Sequence, residues 1–384
     1  MTQFPIEEFN AHRTPFYFYD IDLLRQTLNT INTHSNYERY HVHYAIKANV
    51  NPVVLEEIRK AGLGVDCVSG GEIETALNAG FEPQKIVFAG VGKSDWEIEL
   101  GLNHNIACFN VESPEELDVI NEIATKMGKK ANVAFRVNPN IDAHTHHYIT
   151  TGLAENKFGI NLEKLDDVID QATKMQHINL QGLHFHIGSQ ITINEPFKLL
   201  CDKIKELVAK YNSKGISFKT INVGGGLGID YDNPDQNPIP NFKEYFDTFH
   251  NNLKLEDGQE LHFELGRSVV GQCGSLISRV LYIKHGTTKN FAIIDAGFTE
   301  LIRPALYQAH HIITPLTTNP NDEYTKFDIV GPICESSDCF GEDELMPESL
   351  GRGDFVAIRS AGAYGEIMAS QYNCRRLPKS IYKF

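Results

Sequence analysis

Short apolar runs alternate with amphipathic stretches up to about residue 271. The runs have the length and residue types of buried β-strands. They centre on Tyr44, Val65, Val87, Cys108, Phe135, Phe185, Ile221 and Phe263. Between them, apolar positions with helical spacing predict helices over 53–59, 72–77, 114–120, 162–172, 197–211 and 242–253. Eight strands with crossover helices predict an α/β fold, a parallel (β/α)8 barrel of the TIM type. An open doubly wound sheet is the alternative.

The pattern changes after about Gly271, where short strands follow one another with few helices between them. Strands are expected over 276–283, 291–295, 328–330 and 355–358, and 14–19 is expected to be a further strand of the same domain. This arrangement predicts a second, mostly antiparallel β domain. We expect the barrel to span 24–271, and the β-rich domain to be built from 1–23 and 272–384.

Composition narrows the class of protein. The chain has 384 residues, 41% of them hydrophobic and 22% charged, which is typical of a globular protein of two domains. The net charge of -15 argues against a nucleic-acid or acidic-membrane partner, so an anionic substrate would need local arginines. The seven scattered cysteines are expected to be reduced thiols. Neither a signal peptide nor a membrane span is predicted, so a cytoplasmic location is expected.

Polar and glycine residues collect where the predicted strands end. Barrel enzymes build their sites at the carboxyl ends of the strands. In this chain these ends carry Lys47, Asp66, Ser69, Gly70, Gly71, Arg136, His184, His186, the glycine-rich run 224–228, Glu264, Gly266 and Arg267. The sequence therefore predicts an active site at this end of the barrel.

Lys47 is the most informative of these residues, because it directly follows the first predicted strand. Burial lowers the pKa of a lysine and makes its amine a candidate nucleophile toward a carbonyl group. The alternative is a surface lysine whose stem lies along apolar residues while the ammonium stays in water. His41 and His43, on the same strand, are expected to be packed or solvated.

The glycine run 224–226 has two interpretations. Exposed N–H groups in such a loop form an anion-binding site suited to phosphate, and the alternative is a tight turn. A Rossmann fingerprint is excluded because Ile229 stands where the third glycine is needed. The stretch 90–94 is similar to a phosphate-binding P-loop, but Val87 replaces its first glycine, so nucleotide binding is not expected there.

Histidine spacing raises the question of a metal site. His144, His146 and His147 lie close together, and His184 and His186 share a strand face. No carboxylate or cysteine completes either set at the usual spacing. We therefore expect no metal.

Several stretches together resemble the fold-type III pyridoxal-phosphate decarboxylases, whose barrel is alanine-racemase-like. They are 44–49, 151–160, 186–190, 224–228, 303–308, 331–335 and 360–365. The resemblance covers nearly the whole chain, and the stretches 303–308 and 331–335 point to the branch that acts on diaminopimelate rather than on ornithine or arginine. Leu265 departs from the family, which usually has proline there.

The resemblance implies roles in binding pyridoxal 5'-phosphate (PLP). Lys47 would hold the cofactor as a Schiff base, Glu264 would keep the pyridine nitrogen protonated, and His186 would stack on the ring. The phosphate would be bound by Ser189, Gly224, Gly225, Gly226, the backbone of Gly266 and Arg267, and Tyr364. Asp66 and Arg136 are expected to complete the cofactor site.

The resemblance also implies a substrate and a dimer. Arg267, Arg303, Tyr307 and Tyr364 would bind the substrate, with the arginines pairing its carboxylate. Glu335 would receive the distal ammonium, and Cys334 would protonate the carbon that has lost CO₂. Both would act in the partner subunit's site within a homodimer.

The expected reaction is decarboxylation of meso-2,6-diaminopimelate to L-lysine and CO₂. A decarboxylase for a carboxylated polyamine, an amino-acid racemase and a non-catalytic PLP-binding protein are the alternatives. A racemase would release no CO₂. A small carrier protein of the last kind would leave Arg303, Cys334 and Glu335 without a task.

Overall fold

The chain forms two units in the computed structural model, which describes residues 4–141, 157–317 and 321–384. The barrel unit comprises Leu28–Gly228 and Asn241–Gly266, and the β-rich unit comprises Met1–Thr27, Ile229–Pro240 and Arg267–Phe384. Residues 229–240 and 267–271 thus group with the β-rich unit, whereas the boundaries expected from sequence include them in 24–271. Those boundaries stay a prediction for the extent of the cofactor-binding domain.

Strands and helices alternate through most of the barrel unit, whereas strands dominate the β-rich unit. The strands, in chain order, are β1 (Phe16–Asp20), β2 (Tyr40–Ala45), β3 (Gly64–Cys67), β4 (Ile86–Phe88), β5 (Cys108–Val111), β6 (Ala131–Asn138), β7 (Ile160–Asn161), β8 (Ile178–His184), β9 (Thr220–Asn222), β10 (Glu260–Leu265), β11 (Gly274–His285), β12 (Asn290–Ile294), β13 (Ile313–Pro315), β14 (Tyr324–Val330), β15 (Cys339–Pro347), β16 (Phe355–Ile358) and β17 (Lys379–Lys383). The helices are α1 (Ile6–Phe9), α2 (Ile21–His34), α3 (Pro52–Lys60), α4 (Gly70–Asn78), α5 (Asp95–His104), α6 (Pro114–Lys126), α7 (Leu162–Lys174), α8 (Glu195–Ser213), α9 (Phe242–Asn252), α10 (Arg267–Val270) and α11 (Arg303–Tyr307).

The barrel unit is a closed ring of eight parallel strands. Neighbours pair in the order β2, β3, β4, β5, β6, β8, β9 and β10, and the first and last strands, β2 and β10, pair with each other. The short β7 adds to the side of β6. The predicted barrel is confirmed, and the open sheet is excluded because the ring closes. The strand expected around Phe185 ends one residue earlier, at His184.

The outer face of β10 shows how the barrel is held together. Phe263 packs against Tyr245, Phe246 and Phe249 of α9, with ring centroids 5.9, 5.0 and 5.3 Å away. All four rings are buried, and each such burial stabilises the fold by about 1.5–3 kcal/mol. Because side chains alternate along a strand, Glu264 projects from the opposite face of β10.

The polar residues that follow β3 have mainly structural tasks. The Ser69 hydroxyl caps α4 by accepting a hydrogen bond from the Glu72 N–H at 3.2 Å, and the Glu72 carboxylate accepts the Val68 N–H at 2.7 Å. A Cβ on Gly70 would lie 2.3 Å from the Trp96 ring, so close packing requires glycine there. These residues position α4, and Asp66 remains the candidate site residue of this strand end.

The β-rich unit is built around β11, which pairs antiparallel with β1, β12 and β16. β14 and β15 are also antiparallel, while β12–β14 and β1–β17 are parallel. A mostly antiparallel second sheet that includes the N-terminal strand is therefore confirmed. Its apolar cluster contains Phe9, Phe16, Phe18, Ile277 and Phe355.

Every one of the cysteines is a free thiol. Among the helices of the described residues, none is both long enough and apolar enough to cross a membrane.

Candidate active site

Glu264 is a buried carboxylate at the carboxyl end of β10. Its Oε1 accepts hydrogen bonds from the side-chain amides of Asn110 at 3.1 Å and Asn222 at 2.7 Å. Its Oε2 lies 2.9 Å from Nε2 of His184. Since these four side chains come from β5, β8, β9 and β10, they meet in the barrel interior.

The environment of Glu264 keeps it ionised. Burial alone raises the pKa of a carboxyl group, but contact with His184, the charge of Lys47 and the amide of Asn222 outweigh it and hold the pKa of Glu264 well below its usual range. Within the described chain, Nδ1 of His184 has no hydrogen-bond partner. The barrel therefore holds a fixed negative charge that suits a protonated ring nitrogen.

Lys47 lies in a single 3-10 turn, Ile46–Ala48, directly after β2. Its Nζ is 3.3 Å from Oδ2 of Asp66, and its side chain is 41% exposed. Lys47 is therefore only partly buried, and its contact with a buried acid sets it apart. Burial and the Glu264 charge raise the pKa of Asp66, and the Lys47 ammonium opposes them. The amine is accessible and has an acid beside it.

The glycine loop leaves little room for side chains. A Cβ on Gly225 would lie 1.9 Å from the carbonyl oxygen of Glu264, and one on Gly224 would lie 2.1 Å from that of Phe185. Gly224 and Gly226 also have φ values of +69° and +113°. The Gly225 N–H donates to Nδ1 of His186 at 3.4 Å. The loop backbone thus approaches the end of β10 closely, as a phosphate-binding loop requires.

His186 is uncharged at neutral pH. Burial, together with the positive charges of Arg136 and Lys47, lowers the pKa of His186 well below its usual value. A neutral imidazole is suited to stacking on an aromatic ring.

Arg136 forms a buried ion pair, with its Nη1 2.8 Å from Oε1 of Glu112. The Glu112 carboxylate also accepts the N–H groups of Gly159 at 2.9 Å and Gly90 at 3.0 Å. The Arg136 guanidinium lies over the ring of Phe158 at 4.7 Å. These contacts give Arg136 a structural role. Its role in cofactor binding stays a prediction.

Lys93, the lysine of the P-loop-like stretch, is part of the barrel wall. Its Nζ donates to Oε1 of Glu116 at 2.6 Å and to the carbonyls of Gly90 and Asn110 at 2.8 Å each. Its side chain is 1% exposed. These hydrogen bonds account for the buried position of Lys93 without a bound nucleotide.

Two buried arginines of the β-rich unit converge on one tyrosine. Nη1 of Arg267 and Nη1 of Arg303 donate to the Tyr231 hydroxyl at 2.5 and 2.7 Å. Although burial raises the pKa of Tyr231, the two guanidinium groups lower it below its usual value. The Arg267 guanidinium also lies 5.0 Å from the Tyr364 ring, and Arg303 contacts His311 at 3.2 Å. The cluster presents two fixed positive charges suited to a carboxylate.

The loop that carries Cys334 and Glu335 is held in shape by Asp338. The Asp338 carboxylate accepts the N–H of Ile333 at 2.7 Å, and a Cβ on Gly331 would lie 2.2 Å from it. Cys334 and Glu335 are exposed in the single chain, and Glu335 accepts a hydrogen bond from the Tyr372 hydroxyl at 2.8 Å.

The structure brings the predicted residues together in two groups. The barrel unit gathers Lys47, Asp66, His186, Gly224, Gly225, Gly226 and Glu264, with Ser189 in the loop after β8 and Gly266 directly after β10. The β-rich unit gathers Arg267, Arg303 and Tyr364, and Tyr307 ends the short α11. His144, His146, His147 and most of the stretch 151–160 lie outside the described residues.

Sequence reasoning missed Asn110 and Asn222 as partners of Glu264, and Tyr231 as the partner of the arginines. Asn110 and Asn222 are polar residues near the ends of apolar strands, and that pattern is a usable signal. Tyr231 follows the glycine run within a loop whose composition gives no such signal.

Comparison with known proteins places the chain in a family. The model for "Pyridoxal-dependent decarboxylase, pyridoxal binding domain" matches residues 24–271. A diaminopimelate decarboxylase of Bacteroides thetaiotaomicron is 59% identical over 98% of this chain and 97% of the relative. The chain belongs to the diaminopimelate decarboxylase family.

Comparison with a second member of the family supports the same assignment. The Helicobacter pylori diaminopimelate decarboxylase is 42% identical over 96% of this chain and 90% of its own length. The crystal structure of that enzyme complexed with L-lysine superposes with a TM-score of 0.93 at 41% identity, over 99% of this chain and 94% of the other.

The barrel residues fit the cofactor of this family. PLP carries an aldehyde, a ring nitrogen and a phosphate. The barrel supplies an accessible amine beside a buried acid, an ionised buried carboxylate and a loop without side chains. Within the described residues, Oδ1 of Asp66 is also buried without a partner, which leaves it available to a ligand.

Proposed function

We propose that this chain catalyses the PLP-dependent decarboxylation of meso-2,6-diaminopimelate to L-lysine and CO₂, the last step of lysine biosynthesis. The ionised Glu264 carboxylate in the barrel interior is the observation that carries the proposal. When bound, PLP supplies an electron sink for the electron pair that remains when CO₂ leaves. Family membership supports this reaction over the alternatives.

Lys47 would hold the cofactor through Nζ and would give it up to the amine of the substrate. Glu264 would accept a hydrogen bond from the ring nitrogen and keep it protonated, and neutral His186 would stack on the ring. Asp66 receives or returns the proton of the Lys47 amine, which its position at 3.3 Å supports. Arg136 keeps the nearby barrel wall in place through Glu112.

The cofactor phosphate would be held by the ends of several elements. Ser189, the backbone of Gly224–Gly226, the backbone of Gly266 and Arg267, and Tyr364 supply these contacts in our proposal. The positive φ values of Gly224 and Gly226, which shape a loop of exposed backbone N–H groups suited to an anion, support it.

Substrate binding uses the arginines and tyrosines of the β-rich unit. Arg267 and Arg303 pair with a carboxylate, and Tyr307 and Tyr364 complete the site. Both guanidinium groups donate to the Tyr231 hydroxyl, which offers one acceptor oxygen where a carboxylate offers two. A carboxylate could therefore pair with both guanidinium groups at once.

Cys334 and Glu335 act in the site of a partner subunit within a homodimer. Cys334 gives its Sγ proton to the carbon that has lost CO₂, and Glu335 binds the distal ammonium. Their exposure in the single chain supports this assignment. A cytoplasmic location fits a biosynthetic enzyme with free cysteines.

A substrate panel tests the proposed reaction. Purified protein supplied with PLP is expected to release CO₂ from meso-2,6-diaminopimelate and to form an equal amount of lysine, whereas carboxylated polyamines, ornithine and arginine should react far more slowly. Lysine is measured by chromatography and CO₂ by a coupled assay. Faster CO₂ release from a carboxylated polyamine, or conversion of an amino acid to its mirror image without CO₂, would contradict the proposal.

Mixed dimers test the shared site. Cys334→Ala is expected to slow turnover with less effect on substrate binding, because the thiol acts after the substrate is bound. Lys47→Ala should be inactive. Equal amounts of the two variants are then unfolded and refolded together. Half of the dimers should contain one chain of each variant, and each of these dimers should have one intact site.

The mixture should therefore recover up to about one quarter of wild-type activity, well above either variant alone. Each variant refolded by itself is the control. If the mixture shows no more than the average of the two variants, Cys334 and Lys47 act within one chain.

A further inference from the structure

A cluster of three histidines and one glutamate lies at the amino-terminal end of the barrel, away from the proposed active site. His41 is the second residue of β2, and Glu260 and His262 are the first and third residues of β10. His41 and His262 are direct neighbours in the pairing of these two strands. Glu260 and Glu264 are four residues apart, which separates the two ends of β10 by roughly 13 Å.

The side chains of this cluster face one another. Nε2 of His262 is 3.5 Å from Oε2 of Glu260, and the rings of His41 and His262 have centroids 4.8 Å apart. One ligating atom from each of His41, Glu260 and His262 lies within 4.8 Å of the other two. Ligands around a tetrahedral zinc ion are about 3.4 Å apart, so the Glu260–His262 pair already has the right spacing. His41 is exposed, so its side chain has room to turn toward the other two ligands.

His43 sets the orientation of the protons in this cluster. Its Nδ1 lies 3.2 Å from the carbonyl oxygen of Lys85, which only accepts, so Nδ1 carries the proton. In the neutral, buried imidazole, Nε2 is then an acceptor, and it lies 2.8 Å from Nδ1 of His262. Nδ1 of His262 therefore donates, and in the neutral ring its Nε2 has a lone pair directed toward Glu260. Metal-binding histidines typically have such a second hydrogen bond on the other ring nitrogen.

We propose that His41, Glu260 and His262 bind a divalent transition-metal ion of the zinc class, with His43 fixing the orientation of His262. Two imidazoles, one carboxylate and a water molecule form a donor set that suits Zn²⁺ and Co²⁺, whereas Mg²⁺ and Ca²⁺ prefer oxygen ligands.

The positive charges around the cluster oppose binding of a metal ion. Nζ of Lys219 is 4.0 Å from Oε1 of Glu260, and the charge of Lys85 also acts on His41. The Lys219 side chain is 61% exposed, so water screens much of its effect. The site is therefore expected to bind its ion reversibly.

Because of where its ligands lie, a bound ion would stabilise the closed barrel. β2 is the first strand of the barrel and β10 is the last, so an ion bound by His41 and His262 joins the two edges at which the ring closes. Because the unfolded chain does not hold the three ligands together, binding stabilises the folded state.

Titration with Co²⁺ tests the site in the intact, tag-free holoenzyme. We expect visible bands of tetrahedral Co²⁺ at one equivalent, displacement of these bands by Zn²⁺, and a higher thermal unfolding midpoint with Zn²⁺. His41→Ala and Glu260→Gln should each weaken Co²⁺ binding by at least about tenfold and remove the thermal shift. Lys219→Gln should bind more tightly, because it removes the opposing charge.

A triple variant, His144→Ala, His146→Ala and His147→Ala, is the control for the other histidine-rich stretch and should bind Co²⁺ as the wild type does. Because His41 and Glu260 lie at the surface end of the barrel, the metal-free variants should keep the wild-type circular dichroism. Absence of the tetrahedral bands in the wild type, or their persistence in His41→Ala, would overturn the proposal.

Discussion

Replacing Lys47 with alanine is expected to abolish both the visible absorbance of bound cofactor and the formation of lysine. The reason is that Nζ of Lys47 is the atom to which the cofactor aldehyde is bound in our proposal. Absorbance of the purified variant and a lysine assay with added PLP measure the two effects. Borohydride treatment of the wild type, followed by peptide mass mapping, should place the reduced cofactor on Lys47.

The controls address folding and specificity. Alanine at position 47 also leaves the buried Asp66 without its partner, so Lys47→Gln, which keeps a hydrogen-bond donor, serves as a second variant with the same expected loss. Lys60→Ala changes a surface lysine that pairs with Glu56 and Glu57, and it should leave activity unchanged. Activity retained in both Lys47 variants, or a label found on another residue, would refute the assignment.

Glu264→Gln is expected to lower kcat by at least about tenfold to a hundredfold while leaving the protein folded. A charge-assisted hydrogen bond is worth about 1.5–3 kcal/mol, and each 1.4 kcal/mol is a factor of ten. Glutamine keeps the volume of the side chain, but it removes the negative charge that holds the ring nitrogen protonated. Steady-state kinetics should show the change in kcat rather than in KM.

A spectroscopic measurement separates this chemical role from a structural one. In the variant, the bound cofactor should lose the proton of its ring nitrogen at a lower pH than in the wild type. Glu116→Gln, at another buried carboxylate of the barrel unit, should lower the midpoint of denaturant unfolding without this spectral change. An unchanged spectrum and kcat in Glu264→Gln would show that the carboxylate does not face the ring.

The barrel and much of its site are predictable from sequence for one physical reason. Parallel strands bring their carboxyl ends to one end of the barrel, so Lys47, Asp66 and Glu264 are expected to lie near one another as soon as the strands are recognised. The contacts of Glu264 with Asn110 and Asn222 are not predictable in this way. They depend on which inward side chains of different strands meet at the same height in the barrel, and local sequence does not record this.

Other features were not predicted from the sequence, in most cases for local reasons. The strand β15 was not predicted because its middle carries Gly341, Glu342, Asp343 and Glu344, which break the apolar alternation. The sequence left open whether Lys47 is buried or partly in water, and the 3-10 turn that follows the apolar run leaves its side chain partly in water. The convergence of Arg267 and Arg303 on Tyr231 joins residues 36 and 72 positions apart, beyond any local pattern.

The segment Ile229–Pro240 belongs to the β-rich unit although barrel residues precede and follow it in the chain. It carries Tyr231, and its Asp235 pairs with Arg359 at 2.9 Å. Neither unit can therefore be produced by cutting the gene at a single point. A chimaera between two homologues must exchange this insert together with the C-terminal segment, or the arginines of one parent will face the loop of the other.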